Sequence, residues 1–233
     1  VVGVNGVVKE EVEQANADYS ITTRKETPNI TKVETDKEYY DKDSTVKILL
    51  TLNNPNDAYI NSIIVDNVSR TVTKEKNGRY SFELPAGSNA GVVNKLMSQI
   101  KFNDNVENIN KAVNQNIHFK VKKTEPSIEI DLENSEIGKK DAKIDFVVSD
   151  EDDTIFGKGL AWRIYKKSDM STVVDEGVSR YSNGKGSIET DKLDIYTEYV
   201  VKTAALYNLF DGQYVRVTTS EDEFTTKDSS LLE

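Results

Sequence analysis

From Ala142 to Val148 an apolar side chain falls at every second position. Ala142, Ile144, Phe146 and Val148 lie on one face, against Lys143, Asp145 and Val147 on the other. A period of two is the period of a half-buried β-strand, and a helix cannot bury such a set on one stripe. The pattern recurs along the chain. Val46, Ile48, Leu50 and Leu52 alternate within 44–52, Tyr80, Phe82 and Leu84 within 80–84, and Ile117, Phe119 and Val121 within 117–121. Ile128, Ile130 and Leu132 alternate, as do Leu160, Trp162 and Ile164. Further strands are predicted at 30–36, 60–65, 69–74, 173–178 and 199–205, with Phe224 in the last one; 92–102 reads as either helix or strand. Turn signals stand between the runs: Asn53-Asn54-Pro55-Asn56-Asp57, Lys76-Asn77-Gly78-Arg79 and Asn183-Gly184-Lys185-Gly186. Many short strands between Gly, Asn and Pro turns predict an all-β sandwich architecture.

The length of 233 residues suits two sandwiches of about 100 residues each. Two of the four prolines open similar stretches: Pro28-Asn29-Ile30 and Pro126-Ser127-Ile128. They stand about 100 residues apart, and a proline is tolerated where a chain enters an edge strand. The expected organisation is a linker or N-terminal extension over 1–27, with a short helix at 10–17 as one reading of it, one sandwich over 28–124, a second over 125–228, and a tail over 229–233.

The stretch Leu193-Asp194-Ile195-Tyr196-Thr197-Glu198-Tyr199 resembles the corner between strands E and F of fibronectin type III domains. In that family a Leu is followed six residues later by a Tyr whose hydroxyl bonds back to the corner backbone. Trp162 falls where the family keeps an inward aromatic in strand C. The family's strand B Trp is replaced here by Ile144 and Phe146. The first half resembles a bacterial immunoglobulin-like domain through Tyr39-Tyr40-Asp41-Lys42-Asp43 ahead of a strand and Leu52-Asn53-Asn54-Pro55 at its exit. The resemblance implies two tandem immunoglobulin/fibronectin type III-like β-sandwiches. It further implies modules of Gram-positive surface proteins, including those that flank surface zinc metalloproteases of the immunoglobulin A1 protease type.

Lys and Arg number 30 against 40 Asp and Glu, a net charge of -10. An acidic chain opposes nucleic acid, which demands a basic stripe, and anionic lipid. No run of 18 apolar residues occurs, so membrane insertion is not expected. The chain has no Cys, which excludes disulfide-stapled scaffolds. It begins at Val1 and reads as a piece of a larger secreted or surface protein.

Catalysis has few candidate groups. His118 is the single His, placed by alternation on the polar side of its strand, and no Gly-x-Ser-x-Gly or phosphate-binding glycine motif is present. No catalytic residue is expected. Asp150, Glu151, Asp152 and Asp153 form a carboxylate run whose oxygens are the candidate calcium ligands, against the alternative of a solvated loop. Asp41 and Asp43 are a lesser pair. Tyr207, Leu209 and Phe210, in the loop after the penultimate strand, are the candidate binding residues for a host protein or glycan, against the alternative that they seal the sandwich end. A Lys–Asn isopeptide bond needs both groups in an apolar core, and the sequence places neither there. The expected function is a non-catalytic spacer or interaction module whose partners are the neighbouring domains of its parent. An adhesin and a phage or virion component remain the alternatives.

Overall fold

The computed structural model describes residues 21, 27–53 and 59–229. The readings at 1–20, 22–26, 54–57 and 230–233 lie outside these residues.

Each strand forms where the period of two places a core face. The first half holds β1 (Asn29–Thr35), β2 (Thr45–Asn53), β3 (Tyr59–Val65), β4 (Val68–Thr71), β5 (Thr73–Lys74), β6 (Arg79–Pro85), β7 (Gly91–Asn103) and β8 (Asn108–Val121). They form two sheets, ordered β1-β2-β6-β5 and β4-β3-β7-β8. Every pair with an assigned register is antiparallel. Reading chain order as A, B, C, C′, D, E, F and G gives ABED on one sheet and C′CFG on the other, the immunoglobulin arrangement. Val46, Ile48 and Leu50 of β2 and Phe82 and Leu84 of β6 are buried on the first sheet. Ile60, Ile63, Met97, Ile100 and Phe102 are buried on the second.

The second half holds β9 (Ser127–Ile137), β10 (Ala142–Ser149), β11 (Gly159–Lys166), β12 (Asp169–Arg180), β13 (Lys185–Thr190), β14 (Glu198–Asn208) and β15 (Val215–Thr225). Its sheets run β13-β10-β9 and β12-β11-β14-β15. One continuous core lies between them. It includes Ile144, Phe146, Leu160, Trp162, Ile164, Ile188, Leu193, Tyr199 and Val201.

Several elements exceed their expected length. The ambiguous 92–102 segment is strand: Met97, Ile100 and Phe102 pair with β3 and are buried. β8 begins well before Ile117, and β12 extends on both sides of 173–178. β13 has no counterpart in the sequence reading. Its Gly186 hides the alternation, yet that glycine lies directly across from Phe146 and leaves room for the ring. The 69–74 reading divides into β4 and β5 at Val72.

The turns keep their chemistry. Asn183 and Gly184 both have positive φ, at 53° and 73°, and Ser182 and Lys185 exchange backbone hydrogen bonds across them. This is a two-residue turn between β12 and β13 of the kind Asn-Gly favours. Pro28 and Pro126 each stand one residue before the first strand of their half.

The chain separates into two compact units. The second unit includes Tyr39–Ser44 and Ala86–Val92 along with everything from Lys120 onward. Backbone bonds tie the first of these segments in. The Tyr40 N–H donates to the Lys120 carbonyl and the Lys122 N–H to the Tyr40 carbonyl, both at 2.9 Å.

Candidate functional site

The acidic run 150–153 connects β10 to the short 3-10 turn at Phe156–Lys158. Asp150 faces inward along its own loop. Its carboxylate accepts the Thr154 N–H at 2.8 Å, the Thr154 hydroxyl at 2.7 Å and the Ile155 N–H at 3.0 Å. These bonds satisfy donors that a sharp turn would otherwise strand, the same service a capping Asp gives a helix start. Asp152 points elsewhere. It receives the Lys42 ammonium at 2.5 Å and the Thr124 N–H at 2.7 Å, all within the second unit. Burial pushes the Asp152 carboxyl up, but the hydrogen bonds from Lys42 and Thr124 outweigh it and hold the group below the ordinary carboxylate range. The Lys42 ammonium is raised in turn, first by its bond to Asp152. Asp153 lies 4.0 Å from Lys158, at positive φ, and Glu151 is exposed.

The loop therefore distributes its carboxylates. Among the described residues no group of three or more His, Cys, Asp or Glu is arranged to hold a metal. The lesser acidic pair also separates: Asp41 meets Lys122 at 3.3 Å, while the Asp43 N–H donates to the Gly87 carbonyl at 2.7 Å.

Tyr207 stands on β14 itself, and Leu209 and Phe210 in the loop that follows it. Tyr207, Leu209 and Phe210 are all buried. Tyr207 and Leu209 belong to the core of the second unit. The physical cause is a tight turn at Asp211-Gly212, with φ of 42° and 73°, closed by the Gln213 N–H on the Phe210 carbonyl. Such a turn leaves no arch of loop to project side chains, so the residues before it fold inward. Phe210 is covered by Tyr39, whose ring centroid lies 5.4 Å away, and Tyr39 also meets Tyr214 edge-on at 5.0 Å. Cations surround these rings. Lys120 lies over Tyr39 and Phe210, and both Lys122 and Arg216 lie over Tyr214. The cluster combines apolar burial with ring–cation attraction.

His118 is exposed on β8, where a ring nitrogen pairs with the Asn94 side-chain oxygen of β7. A Lys and an Asn do meet in the first unit: Lys111 donates to Asn29 at 2.5 Å and to the Pro28 carbonyl at 2.8 Å. Asn29 is exposed, so the pair lacks the dry core that amide exchange between such groups requires.

Leu193 and Tyr199 stand as the fibronectin resemblance implies. Both are buried, and the Asp194 N–H donates to the Tyr199 hydroxyl at 2.7 Å. Trp162 points into the core, where Ile144 and Phe146 occupy the facing sheet.

No family model and no curated protein matches the chain. Solved structures similar to it include titin domains Z1Z2 in complex with telethonin, at 12% identity over 90% of this chain and 98% of that one, with a TM-score of 0.33. The FN1–FN3 domains of chicken CNTN1 are similar at 15% identity over 85% of this chain and 64% of theirs, with a TM-score of 0.32. The Yersinia pseudotuberculosis adhesin InvE is similar at 12% identity over 85% and 58%, with a TM-score of 0.26. Scores this low carry no weight beside the strand order itself, on which the description of the two sandwiches rests.

Proposed function

We propose that the chain is a pair of non-catalytic modules that space or orient neighbouring domains of a larger bacterial cell-surface or secreted protein. The observation that carries this reading is the use made of the end-of-sandwich groups. In many sandwich proteins such loops present recognition or chemistry. Here Asp150 and Asp152 are bonded into the turn and the ion pair, and Tyr207, Leu209 and Phe210 pack inward. A loop whose reactive and aromatic groups are consumed in holding its own shape serves the architecture. The acidic charge and the absence of cysteine suit a chain that keeps apart from its neighbours in solution without relying on redox state.

The test is placement. Antibodies raised to this chain should label intact cells of the source bacterium, and protease added outside should release the epitope. Labelling that needs permeabilised cells would reject a surface location.

A second reading is an interaction module. It is favoured by an exposed apolar face on the second unit, where Val178, Leu206, Val217 and Phe156 stand open.

A further inference from the structure

The outer face of the sheet β12-β11-β14-β15 carries two kinds of surface. Toward one end it is charged, and the charges pair with each other. Arg163 meets Glu176 at 3.0 Å, and Lys202 meets Glu221 at 3.9 Å. Toward the other end it is apolar and open. Val178 is 71% exposed, Leu206 and Val217 are each 54% exposed, and Phe156 is 53% exposed. Exposed apolar side chains scattered singly need no explanation, but these four line one groove.

The register explains the groove. Ala161 pairs with Val178 on one side and with Ala204 on the other, and Leu206 pairs with Val217. The central strands β11 and β14 thus contribute the short residues Gly159, Ala161 and Ala204. The large ones come from Val178 of β12, Val217 of β15, Leu206 further along β14 and Phe156 of the 3-10 turn. A floor of small side chains between larger walls leaves a depression of about 470 Å³. Val178 leans over the floor, since a β-carbon placed on Gly159 would stand 3.3 Å from its methyl group.

Arg180 stands at the rim, one step along β12 from Val178 and opposite Gly159. It is exposed, and no carboxylate pairs with it among the described residues. An unpaired guanidinium beside an apolar groove is suited to an anion attached to an apolar group. The net charge of -10 disfavours a second copy of the chain as occupant, because both bodies repel. The floor lies below the walls, so a flat lipid surface would not reach it.

We propose that this groove docks a protein segment carrying an aliphatic side chain next to a carboxylate. The aliphatic group sits on Gly159, Ala161 and Ala204, and the carboxylate meets Arg180. This deepens the interaction-module reading. It concerns binding at one sheet face alone, so an intracellular location of the parent would leave it standing.

The test uses the full chain and the smallest molecule with that chemistry, N-acetyl-leucine, with neutral N-acetyl-leucinamide as its control. Titrations are followed by amide chemical shifts. N-acetyl-leucine should move the amides of Gly159, Ala161 and Ala204, and the neutral amide should bind roughly tenfold more weakly. Ala204→Leu fills the groove and should abolish the shifts. Arg180→Glu should reduce affinity for the acid to that of the amide or below. Both positions face outward, and unchanged spectra elsewhere show that the fold is kept. Absence of shifts at the groove, equal binding of acid and amide, or shifts that survive Ala204→Leu would each overturn the proposal. Self-association that Leu206→Glu removes would overturn it in favour of a second copy, and binding to neutral phosphatidylcholine vesicles that Leu206→Glu removes would do so in favour of a lipid surface.

Discussion

The Asp194 amide N–H donates to the Tyr199 hydroxyl oxygen across 2.7 Å, joining the start of the corner before β14 to a fully buried ring within that strand. The bond fixes where the chain turns to enter β14, and Tyr199 also stacks on Phe224 of β15 at 5.6 Å. Tyr199→Phe keeps the ring and removes the acceptor. It should destabilise the second unit by about 1–2 kcal/mol, read as a lower urea midpoint with an unchanged slope. Tyr199→Leu should cost more, because the Phe224 stacking is lost as well. A midpoint unmoved by Tyr199→Phe would show that water satisfies the Asp194 amide equally well.

Two glycines lie opposite aromatic rings, and each is small because the ring needs the space. Gly177 pairs with Trp162, and a β-carbon there would come within 2.8 Å of the indole. Gly186 pairs with Phe146, and a β-carbon there would come within 2.5 Å of the ring. Both rings are buried, so neither can swing away without disturbing the core. Gly177→Ala and Gly186→Ala should each destabilise by about 1–3 kcal/mol through overpacking. Thermal unfolding checks this. Gly87→Ala is a useful comparison, since its cost would come from positive φ and not from contact.

The Lys42–Asp152 pair should show in the acid limb of the stability curve. The folded carboxyl lies below its unfolded value, so its contribution is present above the unfolded pKa of about 4 and is lost as pH falls through the folded one. The Lys42 ammonium is raised, so its contribution holds below the unfolded pKa of about 10 and is lost as pH rises through the folded one. Between these limits the pair's effect is flat. Asp152→Asn should lower the melting temperature at neutral pH and narrow its gap to the parent chain in acid. A gap that persists unchanged to the acid end would show that the loss comes from packing and not from charge.

Calcium binding at 150–153 would have to take Asp150 from Thr154 and Ile155 and Asp152 from Lys42. The expected outcome is one melting temperature in chelator and in millimolar calcium. Asp150→Ala should still destabilise by about 1–2 kcal/mol through the loss of its bonds to the turn. A calcium-dependent rise would show that the loop rearranges to gather its carboxylates.

Much of the architecture was legible in the residues. Val46, Ile48 and Leu50 alternate and are buried as read, as are Ala142, Ile144, Phe146 and Val148. The corner at Leu193 and Tyr199 is a local device, so seven residues of sequence contain it. β13 leaves no alternation in the sequence because a strand can hold glycine wherever a partner supplies the ring, and that partner, Phe146, lies far back in the chain. The groove face is hidden for a related reason. Along β14, Ala204 and Leu206 are apolar as well as Ala205 and Tyr207, so alternation does not separate the outward set from the inward one.

The sequence by itself determined that the core faces lie on β-strands, because a period of two is a property of neighbouring residues. It also determined the turns at Asn183-Gly184 and the corner at Tyr199, whose chemistry is complete within a few positions. Only the tertiary structure decided which carboxylate meets Lys42, that Tyr39–Ser44 belongs with the second unit, and that Tyr207, Leu209 and Phe210 face the core. Those outcomes depend on which strands become neighbours across long stretches of chain, and pairing at that distance is settled by packing, which no local pattern encodes.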